Sequence, residues 1–506
     1  MTEELRTDQA VRRTGATLWR AGNRILALLV KTRAHLLVPM LAILLFEGWH
    51  VAPYGNFNVT YYDEQADALL AGQLSLLRAP PPGLLALPDP WDPVDNLAFS
   101  AAPYVPGERY QGVLDLALRD GKFYLQWGLA PAVILIPLRW VVGHDLPMGY
   151  VALVLETLAA LASAAATLIL ARLAGLPASR LMPAVIVTGF LVCPVWAAVL
   201  HRVAIYEAAI FFAQFFTALA LLSVAAAFDR RLQHRGGGIW LLGLAGTCLG
   251  LVVNCRQDLV PLGLTVPPIL WAWWRTGAAG QTWRRMIGPA LALGAPAALL
   301  LGVMLLLNQL RFGNALESGQ AIQLLGADDV WRSHFVFLQP ARLLPNIYYY
   351  FLIPVVFNAR YPLLLGSPLL IPASWLSPSL AAAYDVLYLH RTSGLFGIAP
   401  VTLFALAWPM LWRNRRNGAP DRLRPVISLL LLAGLASSLL ILAPAVMRYG
   451  AEWCMWWLVA GALMSWRMRV AVRARYGPNW QRLFDTGLVV STAWSAWVGA
   501  ALLITG

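Results

Sequence analysis

Long apolar stretches are the feature of this sequence that most limits what it can fold into. About eleven of them approach or reach the roughly 20 residues that a helix needs to cross the hydrocarbon core of a bilayer. They lie at about 35–53, 148–173, 181–200, 203–227, 237–255, 258–274, 286–310, 394–413, 424–444, 447–467 and 483–504. Charged residues make up 12% of the chain, against about 25% in soluble domains. The sequence therefore predicts an all-α polytopic membrane protein with about 11–13 transmembrane helices.

Basic residues give these predicted helices an orientation. The net charge is +13, and arginines cluster in the connections near 230–235, 275–285, 413–424 and 467–482. Connections rich in Lys and Arg stay on the cytoplasmic side, so we expect these four on the inside, together with the basic stub 1–34. The same rule explains the positive charge without nucleic acid, which we do not expect as a partner. The first external loop is then 54–128.

Residues 129–143 conflict with this orientation. They are apolar, but at about 15 residues they are shorter than a membrane span, and Arg139 interrupts them. Counting them as a span would place all four basic connections outside. We therefore predict a re-entrant segment or one that packs between other helices. The alternative is that part of 181–227 does not cross the membrane.

The first external loop concentrates acidic side chains. Nine of the chain's 25 acids fall between residues 63 and 120, and the adjacent pair Asp63-Glu64, followed by Asp67, comes soon after the first span. One carboxylate of such a pair can accept a proton while its neighbour raises the pKa or holds a cation. An ordinary solvated acidic loop is the competing interpretation. Further along, the spacing of aspartates and prolines at 89–95 predicts Asp-Pro turns and not a calcium loop.

Arginines near the outer ends of predicted spans form a second candidate group. An arginine at membrane depth is costly and usually has a partner or a function, and a guanidinium can bind phosphate through two hydrogen bonds. The arginines are Arg202, Arg256, Arg311 and Arg448, and the acids close to three of them in sequence are Glu207, Asp258 and Glu452. The group predicts a phosphate site on the face of the acidic loop. For each arginine taken alone, a local ion pair or snorkelling to the interface is the alternative.

Several other kinds of site find no support in the sequence. No Walker loop, dinucleotide fingerprint, nucleophile elbow or zinc-type histidine spacing occurs, which argues against nucleotide-dependent chemistry. The four cysteines lie in or beside apolar stretches, and we interpret them as core residues and not as a disulfide framework. Three adjacent tyrosines, 348–350, suit the headgroup level of a membrane.

The order of these features resembles the GT-C superfamily of integral-membrane glycosyltransferases, which includes protein O-mannosyltransferases and the aminoarabinose transferases of lipid A. Asp63-Glu64 matches the position of that family's acidic pair, and the segments Arg311–Asn314, Glu317–Gly319 and Met447–Tyr449 resemble recurring pieces of bacterial members. The resemblance implies a single membrane-embedded domain over 1–506. Its parts would be the cytoplasmic stub 1–34, a first external catalytic loop of amphipathic helices at 54–128, and a later external or interfacial segment at 311–393.

The resemblance also implies an activity. Such enzymes transfer a sugar from a polyprenyl-phosphate donor, with inversion, at the outer face of the bacterial cytoplasmic membrane. Asp63 would be the general base, and Glu64 or Asp67 would orient the acceptor or a divalent cation, which is left open as a cofactor. The substrate-binding residues would be Asp67, Arg202, Glu207, Arg256, Asp258, Arg311, Arg448 and Tyr449. The acceptor could be a glycan, a lipid or a protein, and the competing functions are a flippase and a polymerase or ligase of lipid-linked glycans.

Overall fold

The computed structural model describes most of the membrane-embedded body and much of the first loop, 54–128. The described residues are 34–51, 61–100, 113, 115–142, 147–201, 203, 205–276, 283–324, 343–357, 364–365, 377–378, 393–411, 424–440 and 447–505. By its internal contacts the chain divides into two units, Met1–Phe46 and Glu47–Gly506. The first unit holds the beginning of helix α1 (Ala34–Val51). Every contact discussed below lies within the second unit.

Helices make up nearly all of the ordered secondary structure. In the first loop they are α2 (Tyr61–Leu70), α3 (Pro82–Leu85) and α4 (Pro93–Ser100), followed by strands β1 (Leu116–Arg119) and β2 (Lys122–Leu125). The body contains α5 (Ala130–Val142), α6 (Met148–Leu173), α7 (Leu181–Leu191), α8 (Pro194–Leu200), α9 (Ile205–Leu232), α10 (Gly238–Cys255), α11 (Val266–Arg275), α12 (Ile287–Phe312), α13 (Leu343–Ile347), α14 (Leu395–Ile398), α15 (Arg424–Leu440), α16 (Met447–Tyr476) and α17 (Pro478–Thr505). Two very short strands, β3 (Val356–Phe357) and β4 (Leu364–Leu365), pair antiparallel.

Hydropathy predicted the long helices well. Among the described residues, six helical stretches are long and apolar enough to cross a membrane: Met148–Leu173, Leu181–Leu200, Tyr206–Leu232, Gly238–Cys255, Trp283–Phe312 and Pro478–Leu503. Each coincides with a span predicted from the sequence, within a few residues at the ends. The predicted fold class, an all-α polytopic membrane protein, is confirmed.

Proline and 3-10 segments change the form of three predicted spans. The span at 181–200 is two helices, because Pro194 begins α8 directly after the break at Val192-Cys193. The span at 258–274 is a 3-10 helix, Gln257–Thr265, followed by α11. Nine residues at about 2.0 Å and ten at about 1.5 Å still extend roughly 33 Å, which matches the hydrocarbon core. The span at 394–413 is α14 followed by a 3-10 helix, Pro400–Leu411.

Helices α10 and α12 pack with their backbones close together. A Cβ atom on Gly246 would lie 2.0 Å from the backbone oxygen of Leu293, and one on Gly250 would lie 2.6 Å from the Cβ of Leu300. No larger residue fits either position without moving a helix. The glycine pair, which is spaced four residues apart, therefore serves helix packing in the manner typical of membrane proteins.

The described part of the first loop includes a β-hairpin at 116–125, which differs from the predicted loop of amphipathic helices. Strands β1 and β2 pair antiparallel, with Leu116 opposite Leu125 and Arg119 opposite Lys122. Asp120 and Gly121 connect them, both with positive φ (50° and 66°). Asp-Gly is the preferred pair for this two-residue turn, because both central residues must adopt positive φ.

Two other local predictions have different outcomes. The Asp-Pro turns are confirmed, because Asp89 Oδ1 accepts from the Trp91 amide at 2.9 Å and Asp92 Oδ1 accepts from the Val94 amide at 2.8 Å. The headgroup position predicted for the three adjacent tyrosines is wrong for two of them. Tyr349 and Tyr350 are buried at a π-helical turn, Tyr348–Leu352, and the ring of Tyr350 packs on Trp453.

One end of the helical bundle contacts the first loop. Tyr206, in the first turn of α9, donates a hydrogen bond to Asp115. Arg256, directly after α10, lies over the ring of Trp127 at 4.5 Å. Arg311, in the last turn of α12, donates to the Trp127 carbonyl at 3.4 Å. The start of α9 and the ends of α10 and α12 therefore lie on the same side as the loop.

This arrangement resolves the conflict over 129–143 in favour of a segment that does not cross. The chain enters α5 from Trp127, on the loop side, and near the end of α5 Arg139 contacts Asp63 and Asp67 of α2. Helix α5 is 13 residues long and contains Pro137. The helix directions also place the described basic turns at the other end of the bundle; these contain Arg230, Arg231, Arg235, Arg275, Arg284, Arg285, Arg473 and Arg475.

Candidate functional site

Helix α2 carries the acidic pair on a scaffold that is buried along one side. Tyr61, Tyr62 and Gln65 are among its buried residues, while Asp63 and Glu64 are half-buried in its first turn. Carboxylates in the first turn of a helix interact favourably with the helix dipole. The buried side of α2 therefore fixes the helix in the protein and leaves the acidic pair half-buried in its first turn.

Tyr62 connects the acidic helix to the arginines. Its side chain is fully buried, and burial raises the pKa of Tyr62 well above its usual value. The guanidiniums of Arg256 and Arg311 are close enough to oppose that rise. The Tyr62 hydroxyl has no hydrogen-bond partner among the described residues. The sequence neighbour of Asp63 is therefore within electrostatic reach of two of the predicted phosphate-binding arginines.

Arg256 is held by acids from two parts of the chain. Its Nη2 atom lies 2.8 Å from Asp258 Oδ2 and also pairs with Glu452 Oε1 of α16. The local pair with Asp258 is the alternative that the sequence offered, and it forms. The pair with Glu452 was not predicted, because Arg448 lies nearer to Glu452 in the sequence. The Arg256 side chain is 1% exposed, so this guanidinium is enclosed by its partners and by Trp127.

Arg311 connects the first loop to α12 through hydrogen bonds. Its Nη1 atom donates to the carbonyl of Leu125 at 2.7 Å, and its Nη2 atom donates to Asn308 Oδ1 at 2.9 Å. The residue is 2% exposed. Its bonds to the backbone carbonyls of Leu125, the last residue of β2, and of Trp127 connect the hairpin to the end of a long helix. Arg311 therefore shapes the site with contacts that are internal to the protein.

Trp127 lies between these groups. Its ring faces the Arg256 guanidinium and meets the ring of Tyr206 edge-on, with centroids 4.9 Å apart. The next residue, Gly128, approaches α10 so closely that a Cβ atom would lie 1.7 Å from the backbone oxygen of Asn254. Glycine at 128 is what lets Trp127 reach Arg256.

A second polar cluster was missed from the sequence. Asp115 Oδ1 accepts from the Tyr206 hydroxyl and, at 2.8 Å, from Gln323 Nε2. Asp115 has a positive φ of 65°, and Ala117 of β1 forms a bridge with Gln323. No motif marks these three residues, which come from the first loop, α9 and the segment after α12. In the sequence, the signal for this cluster was that Asp115 directly precedes the short segment that forms the β-hairpin.

Glu64 and Tyr61 share a neighbour in Arg78. The Arg78 Nε atom is 3.7 Å from Glu64 Oε2, and its guanidinium lies over the Tyr61 ring at 5.5 Å. Burial raises the pKa of Tyr61 to about 12, although the positive charge of Arg78 acts in the opposite direction. Glu64 therefore has a pairing partner within the first loop, in Arg78.

The backbone carbonyl of Asp63 and the side chain of Asp67 both contact helix α5. Arg139 Nη1 donates to the backbone carbonyl of Asp63 at 2.8 Å, and Nη2 of the same guanidinium lies 2.9 Å from Asp67 Oδ1. Residues four apart on a helix share a face. The contact therefore fixes the turn of α2 that begins at the predicted base.

The remaining predicted site residues are placed less completely. Glu207 is buried in the first turn of α9. Arg448 and Tyr449 belong to the first turn of α16, one helical turn before Glu452, and their side chains lie outside the described residues. Arg202 also lies outside them. In the described part of the chain, no three His, Cys, Asp or Glu side chains converge as a metal site would require.

The site can therefore offer the carboxylates of α2 together with buried guanidiniums at the end of the helical bundle. Asp63 and Glu64 lie in the first turn of α2. The ion pairs of Arg256 and the carbonyl contacts of Arg311 lie at the end of the bundle that the first loop contacts through Trp127. Such a site can take a proton from a hydroxyl group. It also presents fixed positive charge near a developing anion.

Comparisons with known proteins give a distant likeness. No protein-family model matches the chain, and no curated protein matches it. Two solved structures from Archaeoglobus fulgidus are similar to it, each with a TM-score of 0.48: an oligosaccharyltransferase in the apo form, at 12% identity, and the oligosaccharyltransferase AglB in complex with an inhibitory peptide and a dolichol-phosphate, at 10% identity. Each likeness covers 92% of this chain and 56% of the other. This chain thus spans little more than half the length of those enzymes.

Proposed function

We propose that this protein is an inverting glycosyltransferase that moves a sugar from a polyprenyl-phosphate donor to a cell-envelope acceptor. The observation that carries the proposal is the packing of the first loop, which bears Asp63, on the end of the helical bundle at Trp127. The Trp127 ring lies 4.5 Å from the Arg256 guanidinium, and its carbonyl accepts a hydrogen bond from Arg311 at 3.4 Å. Glycosyl transfer from a lipid phosphate needs a base for the acceptor hydroxyl and positive charge near the leaving phosphate. Both belong at the end of a membrane-spanning bundle, where a lipid headgroup is within reach.

Asp63 is the carboxylate that we assign as the base. This follows the position of the acidic pair in the resemblance; Asp67, which pairs with Arg139 at 2.9 Å, or Glu64, which lies 3.7 Å from Arg78, would orient the acceptor or a divalent cation. In the proposed step, Asp63 takes the proton of an acceptor hydroxyl, and the hydroxyl oxygen bonds to the anomeric carbon of the donor sugar. The bond from that carbon to the phosphate oxygen breaks, and the lipid phosphate leaves with the electron pair. Attack from the face opposite the phosphate inverts the anomeric configuration.

Arg448 is our candidate for direct contact with the leaving phosphate. Arg256 and Arg311 are enclosed by protein partners, so we assign them to shaping the site. Because two acids offset the charge of Arg256, we assign the positive potential to Arg311, whose partners are neutral groups. Arg448 begins the helix that supplies Glu452 to Arg256, which brings its backbone to the same end of the bundle. Arg202 and Tyr449 remain predicted substrate-binding residues.

The proposed location is the outer face of a bacterial cytoplasmic membrane. The described basic turns lie at the end of the bundle opposite the site, and connections rich in arginine stay in the cytoplasm. The acidic pair would therefore face the exterior, where lipid-linked sugars are consumed in building the envelope. The acceptor would be a glycan, a lipid or a protein with an available hydroxyl group.

Purified protein in lipid nanodiscs tests the proposal directly. The protein is incubated with a panel of polyprenyl-phosphate sugars and candidate acceptors, and release of free polyprenyl phosphate is followed with and without a chelator, which also tests the divalent cation. We expect release with one donor class, and we expect Asp63→Asn to slow it by about 10²–10⁴, the usual contribution of a general base.

Asp120→Asn is the matched control. Asp120 is an exposed acid of the same loop, and asparagine tolerates its positive φ. This variant should transfer sugar at the normal rate. Undiminished transfer by Asp63→Asn, or transport of the intact lipid-linked sugar without release of lipid phosphate, would overturn the proposal.

A further inference from the structure

Arg139 holds the acidic helix at two points that are one helical turn apart. Its Nη1 atom donates to the Asp63 carbonyl at 2.8 Å, and its Nη2 atom pairs with Asp67 Oδ1 at 2.9 Å. The two atoms are the ends of one planar guanidinium, so both contacts fix a single orientation. The Arg139 side chain is only 4% exposed, which makes this a closed contact between α5 and α2.

The surroundings of Arg139 make a charged side chain there expensive. Helix α5 is otherwise apolar, and its side chains Val133, Trp140 and Val141 are exposed on the surface of the chain, as expected for a segment at a lipid boundary. Burying a guanidinium in such a helix costs free energy unless it is paired. A packing role alone would be served by leucine or methionine. The position therefore calls for the fork-shaped donor pair that lysine lacks.

We propose that Arg139 is a positioning residue that sets the placement of the Asp63 carboxylate by fixing the first turns of α2. This inference rests on the proposed function, because it assigns Arg139 a role in that same reaction. Arg139 makes no described contact with Arg256, Arg311 or Glu452. Its loss should therefore disturb the base and leave the cationic part of the site in place.

This division predicts a kinetic signature. A displacement of about 1 Å in a reacting group can cost on the order of 10²-fold in rate, whereas donor affinity depends on the phosphate and the lipid chain. Arg139→Gln should lower kcat by about 10–100-fold with donor KM changed less than about twofold. Arg139→Lys keeps the charge and one contact, so its kcat should fall between those of the wild type and Arg139→Gln.

Arg469→Gln is the matched control for the loss of an arginine–aspartate pair. Arg469 makes two bonds to Asp485, at 2.6 and 3.0 Å, between α16 and α17 at the end of the bundle away from the site. Thermal unfolding in nanodiscs should show comparable losses for Arg469→Gln and Arg139→Gln. Only Arg139→Gln should lose kcat.

Asp67→Asn keeps the shape of the Arg139 contact and is the variant to use if Arg139→Gln does not fold. It should lower kcat in the same direction as Arg139→Lys, with donor KM unchanged. Normal kcat in Arg139→Lys and Asp67→Asn, or equal kcat loss in Arg469→Gln, would overturn the inference. Its failure is distinct from failure of the proposed function, which is judged by Asp63→Asn and by release of lipid phosphate from the wild-type protein.

Discussion

Arg256 and Glu452 form an ion pair that joins the end of α10 to the beginning of α16, with side chains 1% and 0% exposed. Asp258 contacts the same guanidinium nitrogen at 2.8 Å. Two acids and one arginine therefore meet where the first loop, through Trp127, covers them. Because the pair is buried and joins two long helices, it fixes the position of the end of α10 relative to the beginning of α16.

Removal of Arg256 should be more harmful than removal of its partner. Arg256→Gln leaves two buried carboxylates without their shared cation, and breaking a buried pair in this way costs about 3–5 kcal/mol. Glu452→Gln leaves Arg256 with Asp258 and should cost less. The double variant Arg256→Gln/Glu452→Gln should be less destabilised than the sum of the two single variants. Thermal unfolding in detergent of all four proteins gives the coupling; strict additivity would show that the pair does not contribute.

Gly128→Ala should separate Trp127 from Arg256. The new methyl group would lie 1.7 Å from the Asn254 backbone oxygen, a distance that only a shift of the loop or of α10 relieves. We expect a stability loss of about 1–3 kcal/mol, as for other overpacked sites, together with reduced transfer activity. The control is Gly302→Ala, because nothing lies within 4 Å of a Cβ atom there. Equal behaviour of the two variants would contradict the tight approach at Gly128.

The Tyr206 hydroxyl should matter for holding the hairpin. It donates to Asp115, which also receives a bond from Gln323. Because hydrogen bonds to charged groups are worth about 1.5–3 kcal/mol, Tyr206→Phe should lower the free energy of unfolding by that amount. Tyr476→Phe, at an exposed tyrosine, should have no measurable effect. Protection of the β1–β2 amides in hydrogen exchange reports the local change, and full protection in Tyr206→Phe would argue against the contact.

Tyr61 should make the protein less stable at alkaline pH. Its pKa is about 12 in the folded state, against about 10 in an unfolded chain. The neutral phenol thus favours folding fully below pH 10, and this contribution is lost as the pH rises towards 12. At about 1.4 kcal/mol for each pKa unit, the loss reaches roughly 2–3 kcal/mol. The free energy of unfolding, measured between about pH 10 and pH 12, should fall more steeply for the wild type than for Tyr61→Phe. Parallel curves for the two proteins would refute the raised pKa of Tyr61.

Much of the fold follows from local sequence. Apolar length located α6, α9, α10 and α12 within a few residues, because a bilayer imposes nearly the same requirement on every span. Turn chemistry at Asp89 and Asp92 was also readable, since each aspartate bonds an amide two residues away. Asp120-Gly121 is a local signal of the same kind for the hairpin, because Asp-Gly favours the positive φ that both turn residues adopt.

The partners of the charged residues could not be read locally. Sequence proximity offered Arg448 as the neighbour of Glu452, yet Glu452 pairs with Arg256. Arg139 looked like an interruption of a short apolar segment, yet it holds the helix of Asp63. Both pairings depend on which helix ends meet, and that is decided by packing between residues far apart in the chain.

The sequence by itself determined that this chain spans a membrane many times, which end of its helices is basic, and that an acidic pair follows the first span. These are consequences of hydropathy and charge, which act on each segment separately. Only the tertiary structure decided that both ends of α5 contact the first loop, that this loop packs on Arg256 and Arg311 through Trp127, and that Asp115 joins Tyr206 and Gln323. Those contacts exist because burying a polar group requires a partner, and the partner is supplied by whichever helix end the packing brings there.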